Sequence, residues 1–151
     1  MNLGVIGRLD ILERLYGKVF IPEAVLNELS AMGLKQLDAR EIQLVSWIET
    51  RAVSNQLMVN SLTMELDAGE AEAIALAVDM EADLLLVDER QGRKVASRLG
   101  LKHIGLMGVL VDAKNVGFIA EVKPILDDLI AKAGFWVGRQ LYARILAEAR
   151  E

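Results

Sequence analysis

No cysteine occurs in this chain of 151 residues, which excludes disulfides, thiolate zinc sites and a cysteine nucleophile. Only two prolines are present and no Ser/Gly-rich stretch interrupts the chain. Neither a linker nor a second domain is indicated, and the reading is one domain over residues 1–151. With a single histidine, His103, and no motif around it, a Ser-His-Asp arrangement has no support. Gly92-Arg93-Lys94 lacks the spacing of a phosphate-binding loop, and no GxGxxG is present. The longest uninterrupted apolar or glycine run, Ile104 to Val111, falls far short of the roughly 20 residues that span a bilayer. No basic stretch precedes an apolar segment at Met1, as a secretory signal requires. The expectation is a soluble, cytoplasmic protein with no membrane partner. Positive charge is also scarce: 17 basic against 22 acidic residues give a net charge of −5. Bulk charge therefore announces no nucleic-acid partner, although an acidic pocket that recruits divalent cations reverses the local sign.

What is present is 53% hydrophobic residues, enough for a full core, in a pattern that alternates between helix and strand. Leu3, Ile6, Leu9, Leu12 and Leu15 predict a helix ended by Gly17. Lys18 to Ile21 reads as a short strand, and Pro22 suits the first turn of a helix to about Met32. A second strand is expected around Val45 to Ile48 and a short helix over Gln56 to Met64. A helix over Ala68 to Glu81, a strand over Asp83 to Val87 and a helix over Glu89 to Leu99 follow. Gly100 ends that helix and Lys102 to Ile104 is a short strand. Helices near Leu106 to Asn115, Glu121 to Ala133 and Gly138 to Arg150 complete the chain. This alternation implies a parallel sheet covered on both faces, a three-layer α/β/α domain with extra C-terminal helices. The uninterrupted apolar run Leu84 to Val87 predicts a strand buried on both sides.

Several acids fall where the pattern does not want them. Glu28 shares a helical face with Val25, Leu29 and Met32. It is either a charge at the edge of an apolar stripe or one that is paired or ligating. Glu70 stands third in the helix opened by Asp67, the spacing of a capping box, yet it shares a face with Ala73, Ile74 and Ala77. Cap and ligand both fit it. Asp88 follows the most apolar strand, where open α/β sheets place their ligands, and could equally cap the next helix. Glu72 and Asp79 lie on other faces of their helix. Arg90, Lys94 and Arg98 form a basic stripe with Arg93 beside it. Such a stripe is ordinarily a solvated face, but next to an acidic metal site it could hold a phosphate backbone.

Three segments together, IGRLDILERLYGKVFIPEAVLNEL, LDAGEAEAIALA and ADLLLVDERQGRKVA, resemble the PIN-domain nucleases, specifically the prokaryotic PIN-like proteins described as nucleic-acid-binding or toxin components. The resemblance continues through LKHIGLMGVLVDAK and the C-terminal helices. It implies a parallel α/β/α fold and a cluster of acids that binds Mg²⁺ or Mn²⁺ for RNA hydrolysis. By position it carries the family's second, third and fourth acids onto Glu28, Glu70 and Asp88, with Glu72 and Glu89 as neighbours that bind through water. It further implies an RNA substrate, an antitoxin protein as partner, and a homodimer; with such a substrate the stripe of Arg90, Arg93, Lys94 and Arg98 is the candidate nucleic-acid contact. One departure stands out. The family opens with a strand ending in an Asp-Thr-Ser-like motif, and the register of IGRLDIL sets that motif upstream of Met1, where Asn2 cannot replace it. The expectation is a PIN-like domain whose first strand and first acid are missing from these residues. A missing central strand leaves backbone edges open to pairing, and an incomplete ligand set is the mark of a non-catalytic PIN-fold module that binds nucleic acid or protein.

Overall fold

The leading apolar stripe folds as two helices, α1 (Asn2–Val5) and α2 (Asp10–Tyr16), where the spacing predicts one. Gly7 adopts a φ of 68° between them, a left-handed conformation that glycine takes without steric cost and that a periodicity of apolar residues cannot reveal. This computed structural model describes residues 2–31 and 45–151. The expected end of the third helix at Met32 lies outside them, as do the residues just before the second strand.

Beyond Gly17, β1 (Val19–Pro22) leads directly into α3 (Glu23–Ala31). Pro22 closes the strand rather than opening the helix, since its fixed φ and missing N–H suit either place. The second strand, β2 (Ile48–Arg51), sits further along the chain than the apolar residues Val45 to Ile48 suggested. The chain continues through α4 (Gln56–Leu62) and α5 (Ala68–Asp79) to β3 (Leu85–Leu86). Then come α6 (Arg90–Arg98), β4 (His103–Ile104), α7 (Leu106–Asn115), α8 (Lys123–Ala133) and α9 (Arg139–Glu148). Among the described residues no helix is long and apolar enough to cross a membrane.

The strands pair in parallel, as an α/β fold requires, but in two separate pairs. β1 lies beside β2 with Val19 opposite Ile48, and β3 lies beside β4 with Leu85 opposite His103. Helix α5 packs against both β1 and β3. Its buried residues are mostly small, Ala71, Ala75 and Ala77 around Ile74 and Leu76, so its backbone lies close to its neighbours. Fully burying a residue such as Ile74 stabilises by about 1.5–3 kcal/mol.

Two apolar clusters result. One joins α4, α5, β3 and α6 through Val59, Leu62, Ile74, Leu85, Val87 and Val95. The other joins α1, α2, α7, α8 and α9 through Ile11, Val109, Leu110, Leu126, Leu129 and Ile145. The run Leu84 to Val87 is not buried on both sides. Leu85 and Val87 enter the first cluster while Leu86, which points to the opposite face, remains 36% exposed.

Helix ends follow one device repeatedly. After α5, α6, α7 and α9 the chain turns through a left-handed residue, namely Glu81, Gly100, Gly117 and Arg150. In each case the next N–H reaches back into the last turn: Ala82 to Ala77 O, Leu101 to Ala96 O, Phe118 to Ala113 O and Glu151 to Leu146 O. This is the Schellman closure, which satisfies carbonyls otherwise left orphaned. It delivers Glu151 onto the start of α8. There its carboxylate accepts from Lys114 Nζ at 2.6 Å, from Val122 N–H at 2.6 Å and from Lys123 N–H at 2.9 Å. Burial opposes ionisation of Glu151, yet these three donors outweigh it and hold the carboxyl below its ordinary range.

Candidate metal centre

The carboxyl ends of β1 and β3 deliver α3 and α6 to the first turn of α5, and two glycines make the meeting close. The Glu28 carboxylate lies over Gly69, where an added Cβ would stand 2.4 Å from Oε1. The Glu70 carboxylate lies over Gly92 of α6, where a Cβ would stand 2.7 Å from its Oε1 and 2.7 Å from Val87 Cγ2. Neither approach is possible against any residue with a side chain unless something moves. Three helices thus meet through two carboxylate-on-glycine contacts.

The capping-box ambiguity at Glu70 resolves into two residues with two tasks. Asp67 Oδ1 accepts from Glu70 N–H at 2.8 Å and caps α5. The Glu70 side chain crosses to α6 instead of turning back to Asp67. As a result, carboxylate oxygens of Asp67, Glu70 and Glu89 all lie within 4.8 Å of one another. Glu89 is the N-cap residue of α6 and makes no side-chain cap hydrogen bond, so its carboxylate is not committed there.

Like charges gathered this closely resist ionisation. Glu70 is pushed up to about 7, first by burial, then by the charges of Glu89 and Asp67, with Arg93 opposing and Glu28 adding a little. Glu28 is raised as well, by partial burial and by Asp67, against a hydrogen bond donated by Gly69 N–H. The donor set is oxygen throughout. Hard, oxygen-seeking divalent cations such as Mg²⁺ or Mn²⁺ match it, and soft metals do not.

The remaining acids flank this group in different ways. Asp88 Oδ1 accepts from Leu106 N–H at 2.6 Å. It therefore caps α7, across β4, rather than the helix immediately following it, and it stands beside Gly105. Glu72 Oε2 accepts from Ala24 N–H at 2.9 Å, which ties α5 to the start of α3. Asp79, on the opposite end of α5, accepts from Ser54 N–H and Oγ–H at 2.8 and 2.7 Å. Of the basic residues, Arg93 donates to the Asp88 carbonyl and Arg98 to Glu65. Arg90 and Lys94 are exposed. His103 Nε2 is 2.9 Å from Ser97 Oγ, away from the acids.

Sequence reasoning reached Glu28, Glu70, Glu89 and Asp88 but took Asp67 for a cap alone. The available signal was its adjacency: a residue that caps α5 from its N-terminus has its second oxygen within reach of the Glu70 carboxylate in the first turn. Parallel strands whose carboxyl ends converge on an acidic cluster set it where open α/β sheets hold their ligands. A family model described as PIN domain matches residues 1–151. The chain belongs to the PIN-domain family. No curated protein and no solved structure matches it.

Proposed function

We propose that this protein is a divalent-metal-dependent ribonuclease acting as the toxin of a toxin–antitoxin pair. The observation that carries the reading is the convergence of Asp67, Glu70 and Glu89 within 4.8 Å at the carboxyl ends of parallel strands. These three would hold Mg²⁺ or Mn²⁺, with Glu28 and Asp88 at the margins and Glu72 contributing through water. A bound cation supplies Lewis acidity and lowers the pKa of a coordinated water. The chain's own residues then have distinct duties. Glu70 sets the charge of the pocket, Asp88 fixes the end of β3 against α7, and Arg90 and Lys94, with Arg93 and Arg98 behind them, meet the phosphate backbone. An antitoxin would mask this face, and a homodimer is the expected assembly.

The test is cleavage of single-stranded RNA with Mn²⁺, comparing the parent with Glu70→Gln and Asp88→Asn. Both variants keep the shape of the residue and remove a charge. Loss of at least about tenfold, equivalent to ~1.4 kcal/mol of transition-state stabilisation, is expected for each. Undiminished cleavage by both variants would sink the assignment. A second reading, a PIN-fold module that binds without cleaving, is favoured by one observation. Asp88 is committed to Leu106 at 2.6 Å and stands outside the group of three. Calorimetry separates the two: tight Mn²⁺ binding lost in Glu70→Gln counts for the nuclease, and no Mn²⁺ binding counts for the module.

A further inference from the structure

Four basic residues ride on α6, and Arg93 stands apart from the other three. Arg90 and Lys94 are exposed, and Arg98 pairs with the Glu65 carboxylate. Arg93 is half-buried and follows Glu89 by one helical turn, its N–H donating to Glu89 O at 3.0 Å. Side chains at that spacing share a face, where an acid and a base ordinarily attract. Glu89 and Arg93 nevertheless form no ion pair. The Glu89 carboxylate joins Asp67 and Glu70, and Arg93 Nη1 donates instead to the backbone carbonyl of Asp88.

That carbonyl pins the guanidinium just past the carboxyl end of β3. A Cβ added at Gly105 would stand 3.2 Å from Asp88 Oδ1, 3.6 Å from Arg93 Nη1 and 3.6 Å from Val87 O. The charged nitrogen and the acid thus meet over one glycine. Among the described residues no carboxylate forms an ion pair with Arg93. Its charge still reaches the pocket, since it opposes the rise that burial, Glu89 and Asp67 impose on Glu70. A guanidinium stays protonated at every working pH. Arg93 is therefore a permanent positive charge fixed beside the acids and consumed by none of them.

Charge matching then limits what the pocket holds. Asp67, Glu70 and Glu89 converge within 4.8 Å, whereas Glu28 and Asp88 have N–H donors of their own in Gly69 and Leu106. Fully ionised, the three converging carboxylates are matched by one divalent cation together with one guanidinium. Two-metal sites set their ions about 3.5–4 Å apart. A second ion drawn toward Asp88 meets Arg93, and like charges repel more strongly in a partly buried pocket than in water.

We propose that Arg93 is a specificity-determining residue standing in for a second metal. It restricts the acidic pocket to a single divalent cation and supplies from a side chain the positive charge that another ion would bring. The inference rests on the metal centre of the function proposed above and not on the cleavage of RNA.

The experiment titrates the full chain with Mn²⁺, counting bound ions by calorimetry and by the electron paramagnetic resonance signal of the free ion. Parent, Arg93→Gln and Arg93→Lys are compared. Glutamine keeps an N–H for the Asp88 carbonyl and removes the charge, whereas lysine keeps the charge. The parent and Arg93→Lys should each bind one Mn²⁺ per chain. Arg93→Gln, with the circular dichroism spectrum of the parent, should bind a second ion and hold the first at least about tenfold more tightly. Two Mn²⁺ on the parent overturn the proposal, a count that needs no variant to fold. So does a single ion bound by Arg93→Gln with equal or weaker affinity, the outcome of a purely structural role. Absence of Mn²⁺ binding by the parent overturns both this proposal and the metal centre. The expected counts in a protein that leaves RNA intact would uphold the role of Arg93 and remove only the ribonuclease reading.

Discussion

Glu70 carries a proton over a pH range where an ordinary glutamate has lost it. Its folded-state value of about 7 stands above the ordinary glutamate value of 4.5, so the folded chain binds more protons than the unfolded chain between these limits. The contribution to stability is complete below the unfolded value and is lost as pH rises through the folded one. Without divalent metal, the melting temperature should therefore fall between pH 5 and pH 8, and Glu70→Gln should flatten that fall. A cation must displace the proton, so Mn²⁺ affinity should climb over the same interval and level off above it. The glycines beneath the acids give a second expectation. Gly69→Ala meets only the movable end of Glu28, whereas Gly92→Ala meets Val87 Cγ2 as well as Glu70. Gly92→Ala should cost about 1–3 kcal/mol by overpacking and weaken Mn²⁺ binding, both read by thermal melts with and without metal. Gly69→Ala should leave the melt of the metal-free protein nearly unchanged. At this scale much of the candidate site could be read from the chain. Glu28 and Glu70 interrupt apolar faces, and a charge in such a place demands a reason. Asp67 could not be read so, because its cap role already explained it.

Among the helices, the four Schellman closures show where sequence is a sufficient guide and where it is not. Gly100 and Gly117 mark the ends of α6 and α7 in the letters themselves. Glu81 and Arg150 perform the same turn with φ of 50° and 59° and carry no such mark, so the spacing extended α5 to Glu81 and α9 to Arg150. A side chain in this conformation costs roughly 1 kcal/mol relative to glycine. Glu81→Gly should therefore stabilise the protein by about that amount, seen as a raised denaturation midpoint with an unchanged slope. The strand β3 teaches a related point. Four apolar residues in a row describe a strand fit to be covered on both faces, but they do not say whether a cover is present. Leu86 shows that one face is open.

For the whole molecule, the order of helices and parallel strands was legible because each period, capping signal and turn agreed with the next. The separation of the sheet into two pairs was not, since pairing is a relation between distant segments that no local pattern records. The two apolar clusters are joined differently to the acids. Glu28, Glu70 and Asp67 ride on elements of the α5 side, while the second cluster is closed by Glu151. Replacing Glu151 with alanine removes an acceptor from three donors and leaves the Val122 and Lys123 amides without it. A loss of about 1–3 kcal/mol is expected, measured by urea unfolding. Amide exchange should speed up in α8 and α9 more than in α5.

The Glu151 contact also bears on how the chain tolerates handling at its end. The holding group is a side chain, and its backbone carbonyl is free to continue. A long extension fused after Glu151 leaves the three hydrogen bonds in place, whereas trimming one residue removes them all. Residues following Glu151 are therefore a gentle change, and loss of its side chain is the harsh one.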